Sequence, residues 1–455
     1  LPDNLFFMQS RLLPFFDPSK ADFSVPRLAE ATTPVRSLFG GDAVWSLSGL
    51  EKRPRVPFEP LCSVQGQAFE QAGPPEYVVG DPRKMRVAIV TCGGLCPGLN
   101  DVIRGLTMVS IYQFHVKEVL GVRYGYPGLA KGDFVTLTAD KVDGIQNIGG
   151  TVLGSARGMD DLSAMIHHLE ERHIDILFCV GGDGTLRGAS ALAAKVREKG
   201  LKIAIVGVPK TIDNDIPFVA RSFGFETAVQ AAREVLRCAH AESKGAPNGI
   251  GLVRLMGRSA GFVCASATLS SGDVNFCLVP EDHFHMGGFL ATLERRMDKR
   301  GHAVIAVAEG LGTQVMPSQG KDPSGNEKMG DIGPFMKKAI EEHFRTAKKE
   351  VNVKYFDPSY SVRSVPANSQ DSIFCWNLSR QAVYGAMAGL TEFCVGYWHG
   401  YFTLVPLGML HGLHKSLDLS SQLWMSVLSI TGQPSDWHAA SLPLPEESAP
   451  ETPVR

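Results

Sequence analysis

Residues 174–215 read IDILFCVGGDGTLRGASALAAKVREKGLKIAIVGVPKTIDND, and this stretch decides the fold. Ile174–Val180 and Leu201–Val208 are short apolar runs of strand length, and the segment from Leu186 to about Lys199 has helical character. Strand, helix, strand makes a crossover unit, so the two strands are parallel and their following loops leave the sheet at one edge. Open α/β sheets bind ligands at that edge. The first loop is Gly181-Gly182-Asp183-Gly184-Thr185, suited to a metal–phosphate group. The second is Pro209-Lys210-Thr211-Ile212-Asp213-Asn214-Asp215, which presents carboxylates able to take a proton. Together they read as phosphoryl-transfer chemistry.

The same alternation extends in both directions. Arg86–Thr91 predicts a strand, Cys92–Gly98 a Gly-containing loop and Leu99–Tyr112 a helix, followed by a strand over 116–122 and a helix over 160–172. A second series starts near Asn248. Its strands are Ile250–Leu255, Asn275–Val279, Ala303–Ala308 and Val351–Phe356, and its helices Ala260–Leu269, Met286–Arg300 and Ile332–Ala347. A helix from about Ser372 to Leu390 and strands near Phe393 and Thr403 close the pattern. The expected fold class is α/β, with two doubly wound, Rossmann-like domains and the active site in the cleft between them. The expected boundaries are an N-terminal extension over 1–84, a first domain over 85–225 plus about 365–432, a second over 226–364, and a disordered tail over 433–455. The extension is rich in Pro and Phe without a sustained period and reads as an arm that packs on something, a subunit interface being the natural guess. Residues 314–330 read as a mobile loop.

Composition sets further limits. The 455 residues are 44% hydrophobic and 20% charged, the balance of a soluble globular protein with a full core. Lys plus Arg (45) against Asp plus Glu (47) gives a net charge of -2, which provides no field for nucleic acid or an acidic membrane. An anionic ligand must therefore be attracted locally. Nine Cys in a chain of this length do not make a disulfide framework and read as reduced intracellular thiols. No apolar run approaches the ~18 residues that span a bilayer. The expected location is cytoplasmic; because the chain begins at Leu1 without Met, an incomplete N-terminus leaves a plastid or other organelle open.

Several loops carry chemistry. In Cys92-Gly93-Gly94-Leu95-Cys96-Pro97-Gly98, glycines at a strand-to-helix turn let backbone N–H groups approach a phosphate, although the loop alone is equally an ordinary tight turn. Its two Cys lack zinc-knuckle spacing and read as small loop residues. Asp183 is the natural Mg²⁺ partner, since a hard cation takes carboxylate and phosphate oxygens. Asp213 could accept a hydroxyl proton while Asp215 polarises or positions it. Arg258 in Met256-Gly257-Arg258-Ser259-Ala260-Gly261 and Arg157 in Leu153-Gly154-Ser155-Ala156-Arg157 close Gly-rich turns, where a guanidinium can hold phosphate.

These motifs resemble those of the 6-phosphofructokinase family, and within it the long ATP-dependent group of plants and trypanosomatids. The resemblance rests on CGGLCPGLNDVIRG (92–105), GYPG (125–128), LGSARG (153–158), GGDGT (181–185), PKTIDND (209–215), MGRSAGF (256–262), AEG (308–310) and DPSYSVR (357–363), in family order. It implies transfer of phosphate from ATP to the 1-hydroxyl of fructose 6-phosphate in glycolysis, with the first domain binding ATP and the second the sugar phosphate. Asp213 would be the base, with Thr211 beside it, and Asp183 would hold the Mg²⁺. Gly94, Tyr126, Arg157, Gly158, Gly182, Asp183, Gly184 and Thr185 would line the ATP site, Arg157 also stabilising the transferring phosphoryl. The sugar phosphate would meet Thr211, Ile212, Asp213, Met256, Gly257, Arg258, Glu309, Tyr360 and Arg363, the last at its 6-phosphate.

The donor turns on two residues. Pyrophosphate-dependent relatives carry an Asp where this chain has Gly184, and that side chain obstructs the α-phosphate of ATP. Lys210 is shared with those relatives, but the long ATP-dependent group combines it with this Gly, so ATP is the expected donor. A pyrophosphate enzyme and a non-catalytic regulatory subunit are the alternatives. Intact Asp183, Asp213, Arg258 and Glu309 count against the latter. Bacterial members carry an Arg nine residues before the Arg258 position, where this chain has Gly249, and a further effector-site Arg where it has Met108. Lys354 offers a replacement charge, and bacterial-type regulation is not expected. A dimer or tetramer is expected.

Overall fold

A computed structural model of the chain describes residues 21–34, 55–57, 68–159, 161–317, 320 and 330–441. Most of the 1–84 extension, most of the 314–330 loop and the tail from 442 lie outside the described residues. Fifteen strands occur among those described: β1 (Thr33–Pro34), β2 (Arg55–Pro57), β3 (Ala68–Gln71), β4 (Tyr77–Val78), β5 (Arg86–Thr91), β6 (Glu118–Val122), β7 (Phe134–Leu137), β8 (Ile176–Gly181), β9 (Ala204–Pro209), β10 (Gly249–Leu255), β11 (Phe276–Leu278), β12 (His302–Ala308), β13 (Asn352–Phe356), β14 (Phe393–Trp398) and β15 (Tyr401–Pro406). They fall into two compact units. The first holds the chain to Ala231 and again Ser359–Ser416; the second holds Ala232 to Pro358, apart from the 319–328 loop, and again the chain from Leu417.

The first unit is built on a nine-stranded sheet in the order β2-β3-β15-β14-β9-β8-β5-β6-β7. Its five central strands, β14 to β6 in that order, are parallel, and the flanking pairs are antiparallel. β8 and β9 are buried along their whole length, as parallel strands covered on both faces must be. From β5 the chain steps outward to β6, then returns to the other side of β5 for β8 and β9. The winding therefore reverses between β5 and β8, and that switch point opens a crevice at their carboxyl ends. There the Cys92 N–H donates to the Val180 carbonyl at 2.9 Å and the Lys210 N–H to the Gly181 carbonyl at 3.0 Å, so three motif loops lie side by side.

The described residues of the N-terminal arm pack on the first unit. β3 pairs with β15, and fully buried Phe69 brings Phe23 (5.1 Å between ring centroids) and Phe218 (5.3 Å) into the core. The helix Ser369–Met387 lies against the helix Leu99–Tyr112. A Cβ at Gly105 would fall 2.7 Å from Ser379, so this close approach needs the glycine.

The second unit carries a four-stranded, all-parallel sheet in the order β11-β12-β10-β13. Leu252, Ile305, Phe276, Phe289, Leu293 and Phe344 share its core. The expected disordered tail is corrected here over 433–441. Gln433 accepts from the Cys277 N–H at 2.7 Å and donates to its carbonyl at 3.0 Å, extending the sheet's hydrogen bonding with a side chain. Trp437 is fully buried among Phe276, Phe284 and Phe289, and its indole N–H donates to Asp282 at 2.7 Å. The expected boundaries also move. The chain from Leu417 belongs to the second unit, and Tyr360 and Arg363 belong to the first.

Candidate active site

In the first unit, the helix Asp183–Glu198 begins three residues earlier than its apolar pattern suggests, with Gly182 as its N-cap. Thr185 and Leu186 N–H groups both close on the Gly182 carbonyl (2.9 and 3.0 Å), which leaves those of Asp183 and Gly184 at the open, positive end of the helix. This is the backbone arrangement that receives phosphate. Gly184 is exposed, and a Cβ built there meets nothing nearer than Arg187 at 3.9 Å. Asp183 is half-buried and pairs with the exposed Arg187 at 3.1 Å. Tyr126, expected to line the site, is instead 2% exposed and donates its hydroxyl to the Thr185 carbonyl at 2.7 Å. Burial pushes that hydroxyl's pKa well up, so it stays a donor and braces this turn from behind.

Three cations converge on the Gly93-Gly94 turn at the end of β5. The Lys210 ammonium donates to the Gly94 carbonyl at 2.7 Å. Side chains of Arg363 and Arg157 stand 3.7 and 3.9 Å from where a Gly94 Cβ would be, at ordinary contact distance from the turn. The LGSARG loop is fastened to the same turn: Ser155 Oγ donates to the Gly93 carbonyl at 2.6 Å and the Gly93 N–H to the Ala156 carbonyl at 3.0 Å. Gly158, at φ 100°, turns the chain immediately after Arg157. Burial pulls the Lys210 pKa down, the Asp213 charge opposes that shift, and Arg157 adds to it. A partly desolvated cation with two guanidiniums beside it attracts an anion. Cys92 and Cys96 are buried thiols, the former pushed up to about 12 by burial, and they fill space as neutral groups.

The loop after β9 holds its two carboxylates in different surroundings. Asp215 accepts the Thr211 hydroxyl at 2.6 Å, and Ser222 Oγ donates to the Thr211 carbonyl at 2.7 Å. Asn214, at φ 55°, accepts from the Ser222 N–H at 3.0 Å and donates to the Ala220 carbonyl at 3.2 Å. Ile212 is 5% exposed and anchors the loop by its side chain, leaving only its backbone for a ligand. Asp213 is half-buried and within electrostatic reach of Lys210.

The second unit assembles its own group at the carboxyl ends of β10, β12 and β13. Gly257 sits at φ 126° and its carbonyl accepts from the Gly310 N–H at 2.9 Å. A Cβ at Gly310 would lie 2.2 Å from the Arg258 carbonyl, so the MGR and AEG turns are locked by two glycines. Met256 and Arg258 are half-buried beside them. Glu309 is held by Arg254 at 2.6 Å, and the same guanidinium reaches Asp357 at 2.8 Å and Asp331 at 3.6 Å. Sequence reasoning missed Arg254. The available signal was a lone charge inside the otherwise apolar strand Gly249–Leu255. A Cβ at Gly249 would come 2.1 Å from the Ser243 carbonyl, which accounts for the absence of an Arg there. In the first unit, Tyr360 is 74% exposed and the Arg363 guanidinium lies over its ring at 4.5 Å.

With this geometry in hand, the model of the Phosphofructokinase family matches residues 86–386. The chain belongs to the phosphofructokinase family. It is 42% identical over 395 residues to an ATP-dependent 6-phosphofructokinase of Amycolatopsis methanolica, covering 84% of this chain and 86% of the relative. It is 40% identical over 397 residues to the ATP-dependent 6-phosphofructokinase 7 of Arabidopsis thaliana, covering 86% and 82%. Among solved structures, the pyrophosphate-dependent phosphofructokinase of Marinobacter aquaeolei superposes with a TM-score of 0.64 at 18% identity, over 76% of this chain and 91% of that one. That likeness establishes the phosphofructokinase fold of two Rossmann-like domains. No helix among the described residues is long and apolar enough to cross a membrane.

Proposed function

We propose that this chain transfers the γ-phosphoryl group of ATP to the 1-hydroxyl of fructose 6-phosphate, giving fructose 1,6-bisphosphate and ADP. The observation that carries this reading is the meeting of three cations at Gly94, beside the switch point where β5, β8 and β9 end. Charge neutralisation and in-line positioning are the main demands of phosphoryl transfer. The N–H groups of Asp183 and Gly184 hold donor phosphates, Arg157 and Lys210 offset charge as the phosphoryl moves, and Asp213 takes the hydroxyl proton. Thr211 and Asp215 fix the loop that carries Asp213. Arg258, Met256, Gly257 and Glu309 receive the sugar phosphate. Arg363 supplies a phosphate-binding cation, with exposed Tyr360 stacked on it.

Mg²⁺ fits Asp183. The carboxylate is half-buried and its partner Arg187 is exposed, and such surface pairs hold a carboxylate by only ~0–1 kcal/mol. When bound, the ion would neutralise phosphate charge. Exposed, unobstructed Gly184 favours ATP, while Lys210 keeps pyrophosphate as the second reading. A homo-oligomer, dimer or tetramer, and a cytoplasmic location complete the proposal. Asp213→Ser tests its chemistry. Turnover should fall by roughly 10²–10⁴-fold while ATP affinity stays within about three-fold of wild type; a near-normal rate would remove Asp213 as the base.

A further inference from the structure

Lys415 belongs to the first unit, follows β15 and is 3% exposed. Its ammonium donates to the Val219 carbonyl at 2.6 Å and reaches the Ala220 carbonyl at 3.4 Å. Its backbone N–H donates to the Asp215 carbonyl at 2.9 Å. One residue distant in sequence thus gathers three carbonyls of the segment that runs directly on from Thr211–Asp215. That segment is strained: Asn214 and Phe218 both hold positive φ (55° and 59°), a region that costs a non-glycine residue free energy. Phe218 is fully buried against Phe69 and Trp398, so the turn is pinned on its apolar side as well.

Burying an ammonium is expensive, and burial here pulls the Lys415 pKa down to about 7, with the Asp215 charge opposing the shift. Nothing in the chemistry proposed above uses this group. We propose that Lys415 is a positioning residue for phosphoryl transfer, a strap across Asp215, Val219 and Ala220 that keeps the preceding loop, and with it the Asp213 carboxylate, in one place. This inference rests on the assignment of Asp213 as the base. A carboxylate displaced by about 1 Å loses roughly 10²-fold in rate while donor phosphates, held by the separate Gly182–Thr185 turn, bind as before.

The test compares Lys415→Met and Lys415→Gln with wild type by steady-state kinetics and by titration calorimetry with ATP. Lys415→Met should lower kcat at least ten-fold, with KM for ATP within two-fold and the stoichiometry of ATP binding unchanged. Lys415→Gln, which restores an N–H donor on a shorter chain, should recover part of kcat; should the Met variant fail to fold, the Gln variant's kcat and stoichiometry carry the same test. The inference is overturned if kcat stays within two-fold of wild type, or falls only in step with binding stoichiometry, which would mark simple loss of folded protein. Asp213→Ser, measured alongside, separates the two readings. A near-normal rate there defeats the base assignment itself, whereas an inactive Asp213→Ser with an unaffected Lys415→Met defeats only the strap.

Discussion

Replacing Gly184 by Asp probes the choice of phosphoryl donor at a position where the fold has little to lose. Gly184 is exposed in the first turn of its helix, its φ is not left-handed, and a built Cβ has its nearest neighbour at 3.9 Å. A carboxylate at a helix N-terminus is stabilising by ~0.3–1 kcal/mol, so the melting temperature should hold or rise. Under the proposed function the same carboxylate would face donor phosphates. Two like charges about 4 Å apart repel by about 1 kcal/mol in bulk water and about 4 kcal/mol at an effective dielectric of 20. Gly184 lies between these limits, so ATP affinity should drop by roughly ten-fold to several hundred-fold. The assay is KM and calorimetric Kd for ATP, with thermal melting as the control for folding. An ATP affinity within two-fold of wild type in a normally folded variant would refute both the steric and the electrostatic argument.

Two further outcomes follow from single residues. Arg254→Met leaves Glu309, Asp331 and Asp357 without their shared guanidinium. KM for fructose 6-phosphate should rise about ten-fold or more with KM for ATP within two-fold, a loss of 1.4 kcal/mol per decade; equal changes in both constants would contradict the role given to Glu309. Lys415 governs a pH effect. Its folded pKa near 7 lies below an unfolded value of about 10.4, so the unfolded chain binds more protons between those limits and this group's contribution to stability rises with pH. The gain from pH 7 to pH 8 is on the order of 1 kcal/mol, and denaturant unfolding should show it in wild type and not in Lys415→Met. Parallel slopes for the two proteins would place the Lys415 pKa elsewhere.

Much of the architecture was legible because parallel strands are buried on both faces and read as continuous apolar runs. Arg86–Thr91, Leu99–Tyr112 and Met286–Arg300 form as their sequences suggest. The helix Phe225–Gly245 escaped notice. Its buried face of Ala228, Val229, Ala232, Leu236 and Ala239 stands opposite exposed Arg233, Glu234 and Arg237, so an amphipathic pattern was present in the sequence. The tail from 433 reads as disordered from its Pro, Ser, Glu and Ala, yet over 433–441 one buried indole and one glutamine paired to the Cys277 backbone fix it.

The site divides the same way. Glycines at Gly94, Gly182 and Gly257 mark turns whose backbone geometry their spacing already implied. Side chains that act through other side chains carry no such mark. Tyr126 matched a family motif as a site-lining residue but is a buried brace, and Arg254 organises three carboxylates from the interior of a strand. Arg363 was expected with the sugar-binding residues of the second domain. It stands at Gly94 in the first unit because chain order does not reveal where the chain crosses between units.

Purified protein with Mg²⁺ and fructose 6-phosphate should form fructose 1,6-bisphosphate from ATP at least ten-fold faster than from pyrophosphate, at saturating concentrations of each. A faster rate with pyrophosphate, or no fructose 1,6-bisphosphate with either donor, would contradict the account.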